Sequence, residues 1–273
     1  MSLRSFALII PAVVAISGCG GAPVKVAPTE IALTDYAIAA PTSIPASMAS
    51  FNVVNKGKEG HQAALVRLDS GKTFADWQAA MKDTMPGPKP KWIVWMGGAH
   101  AFPGASNEFT VPLDAGEYVW YCIIPGSDGM PHMMKGMAAP MTVTTSTTAM
   151  AAAPAADIEV TMKDYDWEFS KPLTAGKHTL KITAAPGGQA HEVVLVKLPE
   201  GKSGADFTAW AEKMAGPPPI EELHGIAVMQ PGQVNYQALD LKAGKYALVC
   251  FVPDMADGKP HFMHGMMKEL TVQ

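Results

Sequence analysis

The sequence predicts an all-β protein that consists of two tandem Greek-key β-sandwiches, each with one inserted short helix. Three observations support this fold class: an internal repeat, a series of strand-like segments in each copy, and one helix-like segment in each copy. The strand-like segments are rich in β-branched or aromatic residues and are bounded by Gly, Pro, Asn or Asp, which is typical of short strands between turns. Such strands at close spacing favour two packed antiparallel sheets.

The repeat consists of matching phrases in the two halves of the chain. "LTDYAI" returns as "MKDYDW", "GHQAALVRLDSGKT" as "AHEVVLVKLPEGKS", and "LDAGEYVWYC" as "LKAGKYALVC". Between the copies, "TTSTTAMAAAPAAD" has no apolar periodicity and is typical of a linker. We therefore predict a first domain over residues 29–145, a linker over residues 146–157 and a second domain over residues 158–273.

Each copy contains a signal for the start of a helix. Thr73 and Asp76, and likewise Ser203 and Asp206, stand at the spacing of a capping box, with Asp in place of the usual Glu. The apolar positions after the second signal are spaced i, i+3, i+4, i+7, so we expect an inward-facing stripe. These positions are Phe207, Trp210, Ala211 and Met214.

The N-terminal segment predicts export from the cytoplasm. The apolar run "FALIIPAVVAI" is too short to span a bilayer, and it is followed by "ISGC", which resembles the lipobox of bacterial lipoproteins. We therefore predict a signal peptide over residues 1–18, lipidation of Cys19, a tether over residues 19–28, and an extracytoplasmic protein anchored by lipid to a bacterial membrane, in the periplasm or at the cell surface. The alternative is a plain secretory signal in which Cys19 has no role.

The overall charge gives no reason to expect a nucleic-acid partner. The formal net charge is -4 at pH 7, and the chain has no long run of Lys or Arg. Eighteen methionines are present, and they cluster around the two phrases discussed next.

Two similar phrases carry the residues with the most distinctive chemistry. They are "CIIPGSDGMPHMMKGM", from Cys122 to Met137, and "CFVPDMADGKPHFMHGM", from Cys250 to Met266. With an earlier histidine, each half offers two imidazoles, one thiol and one thioether, which are the ligands of a blue-copper site. The candidate metal ligands are His61, Cys122, His132 and Met137 in the first half, and His191, Cys250, His261 and Met266 in the second.

The order of these ligands resembles the cupredoxin family, which includes plastocyanin and azurin. The resemblance covers nearly all of residues 29–273 and implies one copper ion per domain that alternates between Cu(I) and Cu(II). It also implies electron transfer to a redox partner protein, such as a cytochrome or an oxidase, with the second histidine of each site as the electron exit. The sequence departs from the family in the spacing between Cys and His, which is nine residues in the first half and ten in the second.

Several alternatives remain at this point. Cys122 and Cys250 could form a disulfide, the sandwiches could be metal-free binding modules, or the same ligands could serve copper storage, delivery or tolerance. The extra methionines could form an apolar collar for a partner or offer thioether ligands for Cu(I). Zinc is disfavoured because a thioether is not among its usual ligands.

The sequence also leads us to expect that the chain is not an enzyme. Two-domain copper enzymes resemble this chain in size, but they use histidines beside the cysteine to bind additional copper. The chain has no His-x-His pair. We expect the four histidines outside the ligand sets to lie at the surface; they are His100, His178, His224 and His264.

Overall fold

The computed structural model describes residues 27–83, 89–214 and 216–273. The predicted signal peptide, the lipidation of Cys19 and the tether as far as residue 26 lie outside the described residues. Among the residues that are described, no helix is long and apolar enough to cross a membrane.

The described residues of the first half fold mainly into strands, with one α-helix and one 3-10 helix. The helix α1 (Phe74–Asp83) follows the fifth strand, and the 3-10 helix η1 (His132–Lys135) precedes the ninth. The strands are β1 (Thr29–Thr34), β2 (Ala37–Ala39), β3 (Ser43–Pro45), β4 (Ser47–Asn55), β5 (His61–Leu68), β6 (Ile93–Ala101), β7 (Ser106–Leu113), β8 (Gly116–Tyr121) and β9 (Ala138–Thr144).

The second half repeats this order of elements. The helix α2 (Gly204–Ala211) and the 3-10 helix η2 (His261–His264) occupy the places of α1 and η1. The strands are β10 (Ile158–Lys163), β11 (Asp166–Phe169), β12 (Gly176–Ala184), β13 (His191–Lys197), β14 (Glu222–Met229), β15 (Val234–Leu241), β16 (Gly244–Val249) and β17 (Met267–Val272).

The strands form two sheets that run through both halves. The order is β11-β10-β12-β15-β7-β4-β1-β2 in the eight-stranded sheet and β17-β16-β13-β14-β6-β5-β8-β9-β3 in the nine-stranded sheet. Antiparallel pairing of β7 with β15, and of β6 with β14, joins the halves. Most pairs are antiparallel as predicted, but β1 with β4, β10 with β12, and β3 with β9 pair in parallel.

Each strand of the pair β6 and β14 requires a glycine where it approaches its neighbour within the same half, β5 or β13. A Cβ atom on Gly98 would lie 2.1 Å from the carbonyl oxygen of Ala63, and one on Gly225 would lie 1.7 Å from that of Val193. Both glycines also have positive φ angles, 122° and 112°. No other residue type fits this backbone conformation and this close approach.

The hydrophobic core fills the space between the two sheets. Its largest fully buried side chains include Phe51, Phe109, Trp120, Trp167 and Tyr246. Two smaller clusters lie where α1 and α2 pack against the nine-stranded sheet.

The strands β5 and β13 begin on opposite sides of the nine-stranded sheet, measured along the direction of its strands. Successive antiparallel pairs link β5 to β6, β14 and β13, so β5 and β13 run in opposite directions. One row across these strands contains Ala63, Ala99, Ile226 and Val193. His61 and His191 each stand two residues before that row, on opposite sides of it. At about 3.3 Å per residue and 4.8 Å per strand, their Cα atoms are about 20 Å apart.

The predicted fold class is confirmed: the part of the protein that the structure describes is all-β, with one short α-helix in each half. Both capping boxes are present, since the Thr73 and Ser203 hydroxyl groups accept the N–H groups of Asp76 and Asp206. The predicted stripe in α2 is wrong at Met214, because the helix ends at Ala211 and the Met214 side chain is exposed. The proposed domain boundaries stay a prediction, since both sheets continue across the linker.

Candidate metal centres

Paired strands bring the first histidine and the cysteine of each half together. In the first half, β5 begins at His61, and its neighbour β8 ends one residue before Cys122. The N–H of Gln62 points at the Cys122 sulfur, with a nitrogen–sulfur distance of 3.4 Å. In the second half, β13 begins at His191 and pairs with β16, which ends one residue before Cys250.

The long loop between Cys and His closes on itself at its base. In the first half Pro125 and Pro131 form an isolated antiparallel bridge. The Cys122 carbonyl accepts the N–H of Met133 at 2.8 Å, and the N–H of His132 donates to the Ile124 carbonyl at 3.0 Å. The residues between the two prolines therefore form a closed loop, and they do not separate Cys122 from His132.

The second half closes its loop in the same way. Pro253 bridges Pro260, the Cys250 carbonyl accepts the N–H of Phe262 at 2.9 Å, and the N–H of His261 donates to the Val252 carbonyl at 2.9 Å. The unusual spacing in the sequence thus does not prevent the two residues from meeting in either half.

The candidate axial methionines are buried beside these residues. The Met137 N–H donates to the His132 carbonyl at 3.1 Å, and the Met137 carbonyl accepts the Cys122 N–H at 3.1 Å. Met266 makes the same two bonds, at 3.0 Å to His261 and 3.2 Å to Cys250. Both methionine side chains are fully buried.

Three donor atoms converge in the first half. The Nδ1 atoms of His61 and His132 are 3.0 Å apart, and the Cys122 Sγ lies 4.0 Å from the former and 3.5 Å from the latter. All three side chains are fully buried. These separations suit one ion with bonds of about 2.0 Å to nitrogen and 2.3 Å to sulfur, the lengths found in zinc sites.

The second half has nearly the same geometry. The Nδ1 atoms of His191 and His261 are 3.1 Å apart, and the Cys250 Sγ lies 3.5 Å from the His261 Nδ1. These three residues are also buried, and their donor atoms lie within 4.8 Å of one another. The structure therefore brings together the predicted His and Cys residues in both halves.

The outer nitrogens of the histidines face hydrogen-bond acceptors. In the first half the Nε2 of His61 lies 3.1 Å from Asp35 Oδ1, and the Nε2 of His132 lies 2.7 Å from Glu59 Oε2. Ionised carboxylates only accept hydrogen bonds, so each Nε2 carries the proton. Carboxylates in this position fix the tautomer and orientation of metal-binding histidines.

The second half keeps the first carboxylate and changes the second. The Nε2 of His191 lies 2.9 Å from Asp164 Oδ1. The Nε2 of His261 lies 3.4 Å from Gln189 Oε1 and 3.7 Å from Asp254 Oδ2. Gln189 occupies the repeat position of Glu59, and Asp254 supplies the carboxylate from the Cys–His loop instead.

This arrangement fits a bound cation. With the proton on each Nε2, the two Nδ1 atoms of a centre turn their lone pairs toward each other at about hydrogen-bonding distance with no proton between them. A thiol sulfur lies beside both. A metal ion accepts all of these donors at once, so the residues present fit a mononuclear metal centre.

Burial opposes charge on these groups when no metal is bound. It raises the pKa of the Cys122 thiol to about 12 and the pKa of Cys250 still further. It also lowers the pKa of His61 and His191, and it lowers that of His261 to about 4. Neutral imidazoles are ready to ligate a metal, whereas the thiol must release its proton as the ion binds.

Sequence reasoning missed the acceptors around the histidines. They are Asp35, Glu59, Asp164, Gln189 and Asp254. The repeated Asp-Tyr pair of "LTDYAI" and "MKDYDW" was a signal for two of them, since a polar residue returns at the same place in both copies. Asp254 left no such signal because its repeat position is Gly126.

The structure also rules out one alternative and corrects two expectations. Cys122 and Cys250 are both free, so no disulfide joins them. His100 is buried rather than at the surface, and its Nε2 has no hydrogen-bond partner. The rings of His132 and His261 are fully buried, so the second histidine of each centre does not itself reach the solvent as an electron exit would.

Comparison with known proteins gives matches in structure only. No protein-family model matches the chain, and no curated protein matches it in sequence. Auracyanin B is similar over 45% of this chain and 93% of its own, with 20% identity and a TM-score of 0.31. A multicopper oxidase is similar over 89% of this chain and 88% of its own, with 14% identity and a TM-score of 0.24. The Cu-containing nitrite reductase of Thermus scotoductus is similar over 90% of this chain and 61% of its own, with 11% identity and a TM-score of 0.23.

These matches overturn the expectation that the chain is not an enzyme. The structures that match 89% and 90% of the chain are named as an oxidase and a reductase, which are enzymes. We therefore withdraw that expectation. At these identities and TM-scores, the likeness assigns no activity and no residue role to this chain.

Proposed function

We propose that the chain binds one copper ion in each half and transfers electrons through these centres. The ligands would be His61, Cys122 and His132 in the first half and His191, Cys250 and His261 in the second, with Met137 and Met266 as axial ligands. The observation that supports this proposal best is the pair of facing Nδ1 atoms beside a buried sulfur, which is present in both halves.

The donor set favours copper over other metals. Thiolate and thioether are soft ligands that suit Cu(I), and imidazole binds both Cu(I) and Cu(II). The histidine and the cysteine stand at the ends of paired strands, and backbone hydrogen bonds fix the loop that carries the other two ligands. A site held in this way changes little when the ion changes charge, which favours electron transfer.

The location and the partner belong to the same proposal. A lipid on Cys19 would tether the chain to a bacterial membrane outside the cytoplasm, and the centres would exchange electrons with a redox protein such as a cytochrome or an oxidase. Nothing in the charge of the chain suggests a nucleic-acid partner.

Titration of the purified chain with Cu(II) tests the proposal. We expect two equivalents to bind, with intense visible absorption from charge transfer between thiolate and copper. The variants Cys122→Ala and Cys250→Ala should each bind one equivalent with this absorption, and the double variant none. His178→Ala is the control, because His178 lies outside both centres and bonds Thr174 and Asp157. Binding that is unchanged in the double variant would contradict the proposal.

Copper storage or delivery is a second candidate function, and the exposed methionines favour it. Among the described residues, Met130, Met134, Met255 and Met263 are exposed in the loops and 3-10 helices that carry the second histidines. Thioethers at the surface could pass Cu(I) to the buried centres. Tight binding of Cu(I) without visible absorption after addition of Cu(II) would support this function, and no binding of either ion would indicate a metal-free module.

A further inference from the structure

Two tyrosines at repeat-related positions have an unfavourable backbone conformation. Tyr36 has a φ angle of 70° and Tyr165 one of 62°. Positive φ is uncommon for any residue except glycine, and it is a marked outlier for a bulky one. Each tyrosine lies in the turn between two short strands, β1 and β2 or β10 and β11. Strain of this kind persists where the surroundings demand it, and it is concentrated at functional sites.

The turn lets two neighbouring side chains reach the same metal centre. In an extended strand, consecutive side chains point to opposite faces. Here Asp35 bonds the first histidine of the centre, and Tyr36 packs its ring edge against the second, His132, with centroids 5.2 Å apart and planes at 66°. In the second half Asp164 bonds His191, and Tyr165 packs against His261 at 5.4 Å and 83°.

The tyrosine hydroxyl groups bond the acceptors that face the second histidines. The Tyr36 hydroxyl donates to Glu59 at 3.4 Å, and Glu59 also accepts from His132. The Tyr165 hydroxyl donates to Asp254 and accepts from the amide of Gln189 at 3.1 Å. Each ring is thus fixed at both of its ends, by the turn and by the hydroxyl.

These rings are more exposed than the second histidines against which they pack. His132 and His261 are 0% exposed, whereas Tyr165 is 38% exposed and Tyr36 is partly exposed. In the first half Lys135 covers the outer side, with its Nζ 4.6 Å from the Tyr36 ring centroid. Each tyrosine ring therefore covers part of the buried histidine.

We infer that Tyr36 and Tyr165 are positioning residues of the two metal centres: each ring holds the second histidine in its ligating orientation and shields it from water. This inference rests on the proposed function, because it assigns a role to the tyrosines toward the bound copper ion. The turn with positive φ brings the tyrosine and the preceding aspartate to the same centre.

The test uses the full chain with one centre removed. In a Cys250→Ala background, Tyr36→Asn removes the ring and leaves a residue that tolerates positive φ, whereas Tyr36→Phe keeps the ring and removes only the hydroxyl. We expect the Asn variant to release copper to a chelator about tenfold faster than its parent, with a shifted visible absorption. We also expect its metal-free form to melt at a higher temperature than the parent. The Phe variant should release copper more slowly than the Asn variant.

A positioning residue and a purely structural residue give different results in this test. If Tyr36 is a positioning residue, the Asn variant gains stability without metal but loses copper faster; loss of a purely structural residue would lower the stability. Equal release rates for the parent and the Asn variant would overturn the inference, and so would a lower melting temperature of the metal-free Asn variant. Failure of the Cys250→Ala parent to bind copper would instead overturn the proposed function. Tyr165→Asn in a Cys122→Ala background repeats the test in the second half.

Discussion

At the scale of single residues, we expect the carboxylates that accept from the outer histidine nitrogens to influence how firmly the proposed copper ions are held. Asp35→Ala removes the acceptor of the His61 Nε2–H, so the ring can rotate and its Nδ1 can take the proton. We expect the copper affinity of the first half to fall by about 10–100-fold, the range seen for such outer hydrogen-bond partners. Competition with a chelator in the Cys250→Ala background measures this affinity.

Asp35→Asn is the conservative control because its amide oxygen can still accept the same hydrogen bond. It should lose less affinity than Asp35→Ala. Asp164→Ala, measured in the Cys122→Ala background, should reproduce the effect in the second half. Equal affinity of the parent and Asp35→Ala would show that the carboxylate has no influence on the metal.

His100 gives the metal-free protein a sensitivity to acid. Burial lowers the pKa of His100 to about 4, so below its ordinary pKa of 6.5 the unfolded chain binds a proton that the folded protein does not. Its contribution to stability is therefore present above pH 6.5 and is lost as the pH falls toward 4. The unfolding free energy of wild type should fall between pH 7 and pH 5. In His100→Val we expect this fall to be smaller by about 2 kcal/mol.

Denaturant unfolding at the two pH values measures this difference. Valine is the matched replacement because Val228 stands at the repeat position of His100. An identical loss in the two proteins would mean that His100 is protonated in the folded state at pH 5.

The candidate ligand residues could be singled out from the sequence because they occur twice in one order. A single histidine has too many ordinary explanations, but two sets with His, Cys, His and Met at matching places do not. Asp35 and Tyr36 could not be assigned in this way, because their contacts depend on a turn with positive φ that sequence pattern does not specify for tyrosine. The burial of His100 was missed because its place in the sheet depends on the partner strand from the other half.

At the scale of elements, a glycine ends the 3-10 helix that carries the second histidine. Gly136 has a φ angle of 105°, and a Cβ atom there would meet nothing closer than the Tyr36 carbonyl oxygen at 3.9 Å. Gly136→Ala therefore adds backbone strain without a clash. We expect it to lower the unfolding free energy by about 1–2 kcal/mol. Urea denaturation of the metal-free protein measures the change.

Gly60→Ala is the control for this substitution, since Gly60 has no positive φ and no neighbour within 4 Å of an added Cβ. It should change stability by much less. A loss as large as that of Gly136→Ala would show that backbone conformation is not the cause.

Elements with local signals were predicted better than those that depend on distant contacts. The capping boxes at Thr73 and Ser203 require only nearby residues, and both are present. The early end of α2 was missed because apolar spacing continues to Met214 although the helix does not. The bridge between Pro125 and Pro131 was also missed, because proline and glycine indicate a loop without showing where its two ends meet.

At the scale of the whole molecule, the continuous sheets predict that the two halves unfold together. We expect one cooperative transition for the metal-free protein in urea, with coincident curves from fluorescence and circular dichroism. Gly225→Ala places a Cβ atom 1.7 Å from the Val193 carbonyl and should lower the midpoint of this single transition. Two separate transitions in this variant would show that the halves are independent.

Gly232→Ala separates the clash with β13 from the strain of positive φ. Gly232 has a φ angle of 88° but open space around an added Cβ. Its effect should be clearly smaller than that of Gly225→Ala. The joining of the sheets itself was not predictable from the repeat, because each copy alone accounts for its own pattern of strands, and nothing in either copy identifies β6 and β14 as mutual partners.

The antiparallel course of β5 and β13 has a consequence for how the molecule can meet others. The two proposed copper centres would lie toward opposite ends of the strands in the continuous nine-stranded sheet, each beside its own tyrosine. An electron donor bound near one centre would leave the other centre accessible to an electron acceptor. The chain would then carry electrons between two proteins that do not contact each other.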